Sequence, residues 1–98
     1  MYGLIAKIVA VPGKQDELIA ALIEGTAGMP GCFAYVVAQD ASEDNAIWVT
    51  EVWDSMASHD ASLTLPSVRN TVAACRPMIA GFEKVAVTRP AGGIGLPV

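Results

Sequence analysis

The chain has 98 residues, of which 53% are hydrophobic and 16% are charged, and its formal net charge is −4. This length suits one domain, which we predict over residues 1–90, with an irregular tail over residues 91–98. The basic residues are scattered singly, which argues against nucleic acid or an anionic membrane as a partner. No apolar run reaches the roughly 20 residues of a membrane span, and no signal-peptide pattern opens the chain. We therefore expect a cytoplasmic protein.

The first half of the chain predicts a strand, a helix and a second strand. Residues 2–11 are rich in Ile, Val and Leu, and a Pro-Gly turn follows them. Between Lys14 and Thr26 the apolar residues recur at helical spacing, and acidic residues occupy the first turn, where the helix dipole favours anions. Residues 32–39 then have the composition of a mostly buried strand.

The second half predicts a strand, two short helices and a last strand. After a polar loop, the β-branched and aromatic residues 46–53 indicate a strand that forms a hairpin with the one before it. Asp54 or Ser55 is expected to cap a short helix, and Pro66 suits the first turn of another. An apolar repeat at about helical spacing predicts that second helix, and it comprises Val68, Val72, Cys75 and Ile79. Residues 82–88 are predicted to form the last strand.

This β-α-β-β-α-β order predicts a ferredoxin-like α+β fold. Right-handed crossovers place both helical segments on one face of a four-stranded antiparallel sheet. The third strand is apolar in both pleat directions, with Ile47 and Val49 alternating with Trp48 and Val52, so a sheet with one solvated face is not expected. A small chain also gains buried surface by association. We therefore predict a homodimer in which a second copy covers the open face of the sheet.

Within this element order, the chain resembles the antibiotic biosynthesis monooxygenase family over almost its whole length up to Pro90. Residues 47–55 form a strand that ends in Glu-x-Trp and opens a helix. The later similar stretches are His59-Asp60-Ala61-Ser62-Leu63, Leu65-Pro66-Ser67-Val68-Arg69 and Arg76-Pro77. The earlier ones are Pro12-Gly13-Lys14 and Met29-Pro30-Gly31-Cys32. The resemblance implies a dimeric α+β barrel, and characterised members of the family oxygenate quinols and anthrones with neither metal nor flavin.

Haem-degrading relatives of the same fold have a different set of residues. They use an Asn on the first strand, where this chain has Ala6-Lys7. They also use a Trp and a His on the helical face, and the residues near those positions here are Ser62 and Val72. The sequence therefore does not match the haem-degrading pattern.

No cofactor is predicted from the residues themselves. His59 is the one histidine, so a two-His iron site cannot be assembled within a subunit. The chain has neither a Gly-rich phosphate loop after a strand nor a Cys-x-x-Cys pair, and Cys32 and Cys75 are expected to be buried. The expected partners are a second copy of the chain, a small aromatic substrate and molecular oxygen.

His59 and Glu51 are the candidate catalytic residues. Cofactor-free oxygenation needs a base that takes a proton from an electron-rich substrate, together with a dry pocket. Imidazole exchanges protons near neutral pH, although His59 could instead simply bond Asp60 or a backbone carbonyl. Glu51 lies within an apolar strand, where a carboxylate must find a partner or shift its pKa. An edge position or an ion pair is the alternative for Glu51, with Lys7, Lys84 or Arg69 as the possible partner.

The candidate substrate-binding residues are mostly aromatic. Trp48 and Trp53 are an odd number of positions apart, so they are predicted on opposite faces of the strand, and either could be a core residue. Tyr35 has the same two interpretations. Arg69 could bind a substrate oxygen or extend to solvent, and Ser62 joins the set through the resemblance.

Two functions remain open from the sequence. One is a cofactor-independent monooxygenase of a hydroxylated aromatic, and the other is a non-catalytic dimeric domain that binds or scavenges a small molecule. A pocket reached by His59 would favour the enzyme. An interior filled by side chains would favour binding or a structural role.

Overall fold

The computed structural model describes residues 1–97 and shows a four-stranded sheet with three helices. In chain order the elements are β1 (Tyr2–Ala10), α1 (Gln15–Gly25), β2 (Cys32–Gln39), β3 (Ala46–Trp53), α2 (Met56–Ser62), α3 (Pro66–Cys75) and β4 (Ile79–Thr88), with a 3₁₀ turn over Arg76–Met78 before β4. The strands are ordered β2-β3-β1-β4, and every neighbouring pair is antiparallel. The predicted ferredoxin-like α+β fold is confirmed.

Local sequence signals explain where the short helices begin. The Ser55 hydroxyl accepts a hydrogen bond from the Ser58 backbone N–H at 3.2 Å, so Ser55 is the residue that caps α2. Pro66 is the first residue of α3, where its missing N–H is not needed. The helix gives way to the 3₁₀ turn at Arg76, one residue before Pro77, because proline has no N–H to continue the α-helical hydrogen bonds.

The start of the last strand differs from the sequence prediction. β4 begins at Ile79 rather than Phe82, because Ile79 pairs with Ala10 and the Met78 carbonyl accepts from the Val11 N–H at 2.8 Å. Ile79 is therefore a strand residue, and its assignment to the helical repeat was wrong. The repeat is also interrupted at Val72, which is 43% exposed. The backbone pairing with β1 thus outweighs the apolar spacing.

The main core lies between the sheet and the helices. Even-numbered residues of β1 and odd-numbered residues of β3 point toward the helices, because side chains alternate along a strand. Their apolar side chains pack against α1 and the end of α3. The buried members are Ile8, Ala10, Leu18, Leu22, Ile47, Val49 and Cys75. A smaller cluster near the opposite end of the strands comprises Met29, Trp53 and Val68.

The other face of the sheet carries no helix and is partly apolar. Ile5, Thr50 and Val36 lie side by side across β1, β3 and β2, and Val36 is 53% exposed. Beyond β4, residues 89–97 form neither helix nor strand, and the last residue of the tail predicted over residues 91–98 lies outside the described part. No helix within residues 1–97 is long and apolar enough to cross a membrane.

Candidate functional site

Glu51 is a buried carboxylate on the helix-covered face of the sheet. It lies on β3 between Leu4 of β1 and Tyr35 of β2, and it is only 9% exposed. The indole N–H of Trp53 donates to its Oε1 at 3.0 Å. Because residues 51 and 53 lie on the same side of one strand, the sequence spacing itself brings the donor to the carboxylate.

Two expectations for Glu51 are corrected by this placement. β3 lies between β1 and β2, so Glu51 is not on an edge strand. It has no ion pair with a lysine or arginine within residues 1–97 either, and its partner is the Trp53 indole. Lys7 points to the opposite face of the sheet and pairs with Glu43 at 2.8 Å. A neutral donor on the same strand thus takes the place of the expected cation.

The electrostatics of this interior favour neutral groups. Burial raises the pKa of Glu51, while the Trp53 hydrogen bond and the positive charge of a protonated His59 act in the opposite direction. Burial, followed by the negative charge of Glu51, also raises the pKa of the Tyr35 phenol well above its usual range. Glu51 therefore holds a proton more readily than an exposed glutamate does.

His59 lies on α2 beside the same carboxylate. Its ring centroid is 5.4 Å from that of Tyr2 and 5.5 Å from that of Trp53, and it meets the indole edge-on at 83°. Its Nδ1 is 3.1 Å from Oδ1 of Asp60. A bond to Asp60 was the predicted alternative to a catalytic role for His59. When Nδ1 donates to Asp60, however, Nε2 keeps a free lone pair, so this contact also orients a base.

Trp48 lies away from this cluster. It projects from the open face of the sheet, opposite to Trp53, and its indole N–H donates to Oδ2 of Asp40 at 2.7 Å. The Lys7 ammonium lies 5.7 Å from its ring centroid. The two tryptophans therefore cannot line one wall of a pocket within a subunit.

Ser62 and Arg69 are also separate from Glu51 in their contacts. Ser62 is buried, and its hydroxyl donates to the His59 carbonyl at 2.6 Å, so this donor is used within α2. Arg69 is exposed on α3, at an open depression of about 470 Å³. Among the predicted site residues, the structure thus brings together Glu51, Trp53, His59 and Tyr35.

Sequence reasoning missed several residues that complete the cluster. The Tyr2 ring contacts His59 at a tilted angle of 41°, and the missed residues that pack around Trp53 are Met29, Cys32, Leu65 and Val68. The Tyr2 contact has a simple origin, because Tyr2 pairs with Trp53 across β1 and β3 and so lies on the same face. Aligning the two strands antiparallel would have revealed it.

Two open depressions lie on the helical surface. One, of about 360 Å³, lies along the junction of α1 and α3 and is lined by Ala21, Glu24, Gly25, Ala27, Ser67, Asn70, Thr71 and Ala74. The other is the Arg69 depression, lined by Leu63, Arg69, Val72, Ala73 and Arg76. Neither is lined by His59 or Glu51. Glu51 is buried, and Tyr2, Tyr35 and Trp53 lie on the same face of the sheet.

The four-stranded antiparallel sheet with its helices on one face defines a small α+β protein with a monooxygenase-type fold, in which Glu51 lies on the covered face and His59 on α2. The antibiotic biosynthesis monooxygenase family model matches residues 1–74, and the chain belongs to this family. Its structure is similar to a crystal structure described as a "putative antibiotic biosynthesis monooxygenase" from Chloroflexus aurantiacus, with 56% identity, 94% of each chain covered and a TM-score of 0.91.

Two further relatives are more distant. A structure from Deinococcus radiodurans shares the fold, with 21% identity, 96% of each chain covered and a TM-score of 0.79. The uncharacterized protein sll1783 from Synechocystis is 36% identical over 58 residues, which are 56% of this chain. The match spans 40% of that relative, so the chain covers less than half of its length.

Proposed function

We propose that the chain is a cofactor-independent monooxygenase that acts on a hydroxylated aromatic compound such as a quinol or an anthrone. The observation that carries this proposal is the buried Glu51 carboxylate, held by Trp53 beside His59. General-base catalysis needs such a group in a site that excludes water, with an affinity for protons raised toward neutral pH. Membership of the family supports the same reaction class.

The proposed reaction begins with removal of a phenolic or benzylic proton by Glu51 or His59. The resulting anion is electron-rich enough to reduce molecular oxygen directly. For an anthrone, the net change converts a CH₂ group into a carbonyl, consumes one O₂ and releases one water. The protein supplies the base, the orientation and the dry surroundings.

Each candidate base has a different structural advantage. Glu51 is desolvated, and its raised pKa makes it a stronger base than an exposed carboxylate once it is ionised. His59 is oriented by Asp60, and its ring contacts two aromatic rings, tilted against Tyr2 and edge-on to Trp53. We assign Trp53 and Tyr35 to the wall of the substrate site, since both lie beside Glu51 on the covered face.

The other proposed substrate-binding residues would act from outside this cluster. Arg69 would meet a substrate at the surface depression, and Ser62 would support α2 through its bond to the His59 carbonyl. Trp48 would face a partner subunit. Its half-buried ring lies on the open face of the sheet.

We further propose that residues 1–90 are the functional domain and that it works as a homodimer. The exposed Val36 and the half-buried Ile5 and Val52 lie on a face that no helix covers. Packing two such faces together would bury apolar surface from both copies. The Glu51 cluster lies on the opposite side of the sheet, so each subunit would keep its own site.

A second candidate function is non-catalytic binding or scavenging of a small molecule. The burial of Glu51 favours this alternative, as does the lining of the two depressions at α3, which includes neither His59 nor Glu51. In that case the buried acid would only shape the interior.

Oxygen uptake by the purified protein with a panel of quinols and anthrones tests the two functions against each other. We expect uptake above the rate without protein for at least one substrate. Its product should contain one oxygen atom from ¹⁸O₂. Saturable binding of these compounds without oxygen uptake would support the non-catalytic function instead.

A further inference from the structure

The two flanks of α3 have different chemistry. Val68 and Cys75 point into the core, and one flank faces α1, where the Thr71 side chain occupies the space beside Gly25. The depression on that side has one charged residue, Glu24. The depression formed with the other flank has two arginines, Arg69 and Arg76, together with three apolar residues. These are Leu63, Val72 and Ala73.

The two arginines lie on the same side of the helix. They are seven residues apart, which is close to two full turns and places their Cα atoms about 10 Å apart along the axis. Val72 lies between them, and Leu63 contributes a second apolar side chain from the end of α2. Both apolar residues are about half exposed, at 43% and 53%. The depression therefore presents an apolar floor with a guanidinium at each end.

Neither guanidinium is neutralised by the protein. The ion pairs within residues 1–97 involve Lys7, Lys14 and His59, and no carboxylate pairs with Arg69 or Arg76. Arg69 is only three residues after Pro66, close to the positive end of the helix dipole, where a cation is disfavoured. Two unpaired arginines at one place are notable in a chain of net charge −4.

We propose that the Arg69–Arg76 depression binds a small amphipathic anion, a carboxylate carried on an aromatic or acyl body. A guanidinium binds a carboxylate through two parallel hydrogen bonds, and the side chains of Leu63 and Val72 would contact the apolar body. The depression is on the helical side, so the proposed dimer would leave it open. The proposed oxygenation also places Arg69 at this depression, but binding of the anion does not depend on turnover, because the depression is not lined by Glu51 or His59.

Calorimetric titration of the full chain with 1-naphthoate and with the neutral 1-naphthamide tests this site. We expect naphthoate to bind at least about tenfold more tightly, because the two arginines together offer charge-assisted hydrogen bonds to a carboxylate that a neutral amide does not form. The Arg69→Gln/Arg76→Gln variant should lose at least about tenfold in affinity for naphthoate and keep its affinity for naphthamide. Methyl NMR signals of Leu63 and Val72 should shift on binding, and those of Val36 on the open face should not.

A matched control removes the same charge elsewhere. Lys14→Gln/Arg89→Gln also removes two cations, both from exposed positions outside the depression, and should bind naphthoate within about twofold of the unchanged protein. Equal affinities for naphthoate and naphthamide would overturn the proposal. So would an equal loss in both double variants, or NMR shifts centred on Tyr35 and Trp53. Melting curves of both variants establish that they are folded, since all four side chains are exposed.

Discussion

Strand β3 carries two tryptophans whose indole N–H groups each donate to a carboxylate. The pKa values of the two carboxyl groups are nevertheless shifted in opposite directions. Trp48 donates to Asp40 at 2.7 Å on the open side, and Trp53 donates to Glu51 at 3.0 Å beneath the helices. The Trp48 bond, helped by backbone N–H donors of the Asp40 turn, holds the pKa of Asp40 well below its usual range. Burial raises the pKa of Glu51 despite the Trp53 bond.

The difference shows that the surroundings of a carboxylate, and not the indole hydrogen bond alone, decide the direction in which its pKa is shifted. Asp40 also accepts from the backbone N–H groups of Ser42 and Glu43, each at 2.9 Å, so its charged form is well solvated. Glu51 accepts from the Trp53 indole and lies among mostly apolar and aromatic side chains. One hydrogen bond does not replace the water that a carboxylate loses on burial. The half-buried pair on the open face therefore stabilises the charged form of Asp40, and the buried pair leaves Glu51 more easily protonated.

The largest expected effect is on turnover of a confirmed substrate. Glu51→Gln keeps the size of the side chain and a carbonyl to accept from Trp53, and it removes the base. We expect kcat to fall by about a hundred- to ten-thousand-fold if Glu51 takes the proton. Asp40→Asn is the matched control from the other pair and should change kcat by less than about twofold.

His59→Ala in the same assay assigns the base. A fall of at least about a hundredfold in this variant alone assigns proton transfer to His59, and a fall in Glu51→Gln alone assigns it to the glutamate. Turnover within about twofold of the unchanged protein in both variants would contradict an acid–base role for either. Circular dichroism must first show that the sheet is intact in each.

The second prediction concerns the open face on the Trp48 side. We expect sedimentation to show a dimer, and Thr50→Arg to weaken it by about a hundredfold or more, because a desolvated unpaired charge at an interface costs several kcal/mol. Thr50 is exposed at the centre of that face, so the subunit should still fold. Ala20→Arg places the same charge on the exposed side of α1 and should leave the dimer intact. A monomeric unchanged protein at micromolar concentration would refute the proposed interface.

Much of the fold was predictable because its signals are local. β2 and β3 have the predicted bounds, since turn residues flank both apolar runs, and Ser55 and Pro66 mark the helix starts. β4 was predicted three residues too short. Its start depends on pairing between Ile79 and Ala10, which are far apart in the sequence. Strand pairing of this kind leaves no trace in local spacing.

The sequence identified the main residues of the candidate site, but it did not identify the side chains that they contact. A carboxylate within an apolar strand identified Glu51, and the pleat period separated Trp48 from Trp53. The sequence suggested a cation for Glu51, because charge complementarity was the one partner rule available. The actual donor is two residues away on the same strand, and Tyr2 reaches His59 through a cross-strand pair.

The third prediction compares how much each of the two indole donors contributes to the free energy of unfolding. Trp53→Phe leaves the buried carboxylate without its donor and removes part of a ring that is 1% exposed, so we expect a loss of about 2–4 kcal/mol in the free energy of unfolding at neutral pH. Trp48→Phe should cost less, because water replaces the donor at Asp40. Combining Trp53→Phe with Glu51→Gln should recover part of the loss, since the unpaired charge is gone. Additive losses in urea unfolding would contradict the coupling.

The last and smallest effect is the pH dependence of these stabilities. The folded chain raises the pKa of Glu51 above its ordinary value of 4.5, so the protonated acid contributes stability that is full below about pH 4.5 and is lost as the pH rises through the folded value. Asp40 has the opposite sign, because its lowered pKa contributes stability above its ordinary value of 3.8 that is lost as the pH falls. From pH 3 to pH 7, Glu51→Gln should therefore gain stability relative to the unchanged protein, and Asp40→Asn should lose it. Urea unfolding across this range measures both differences, and slopes of the same sign would show that burial does not separate the two carboxylates.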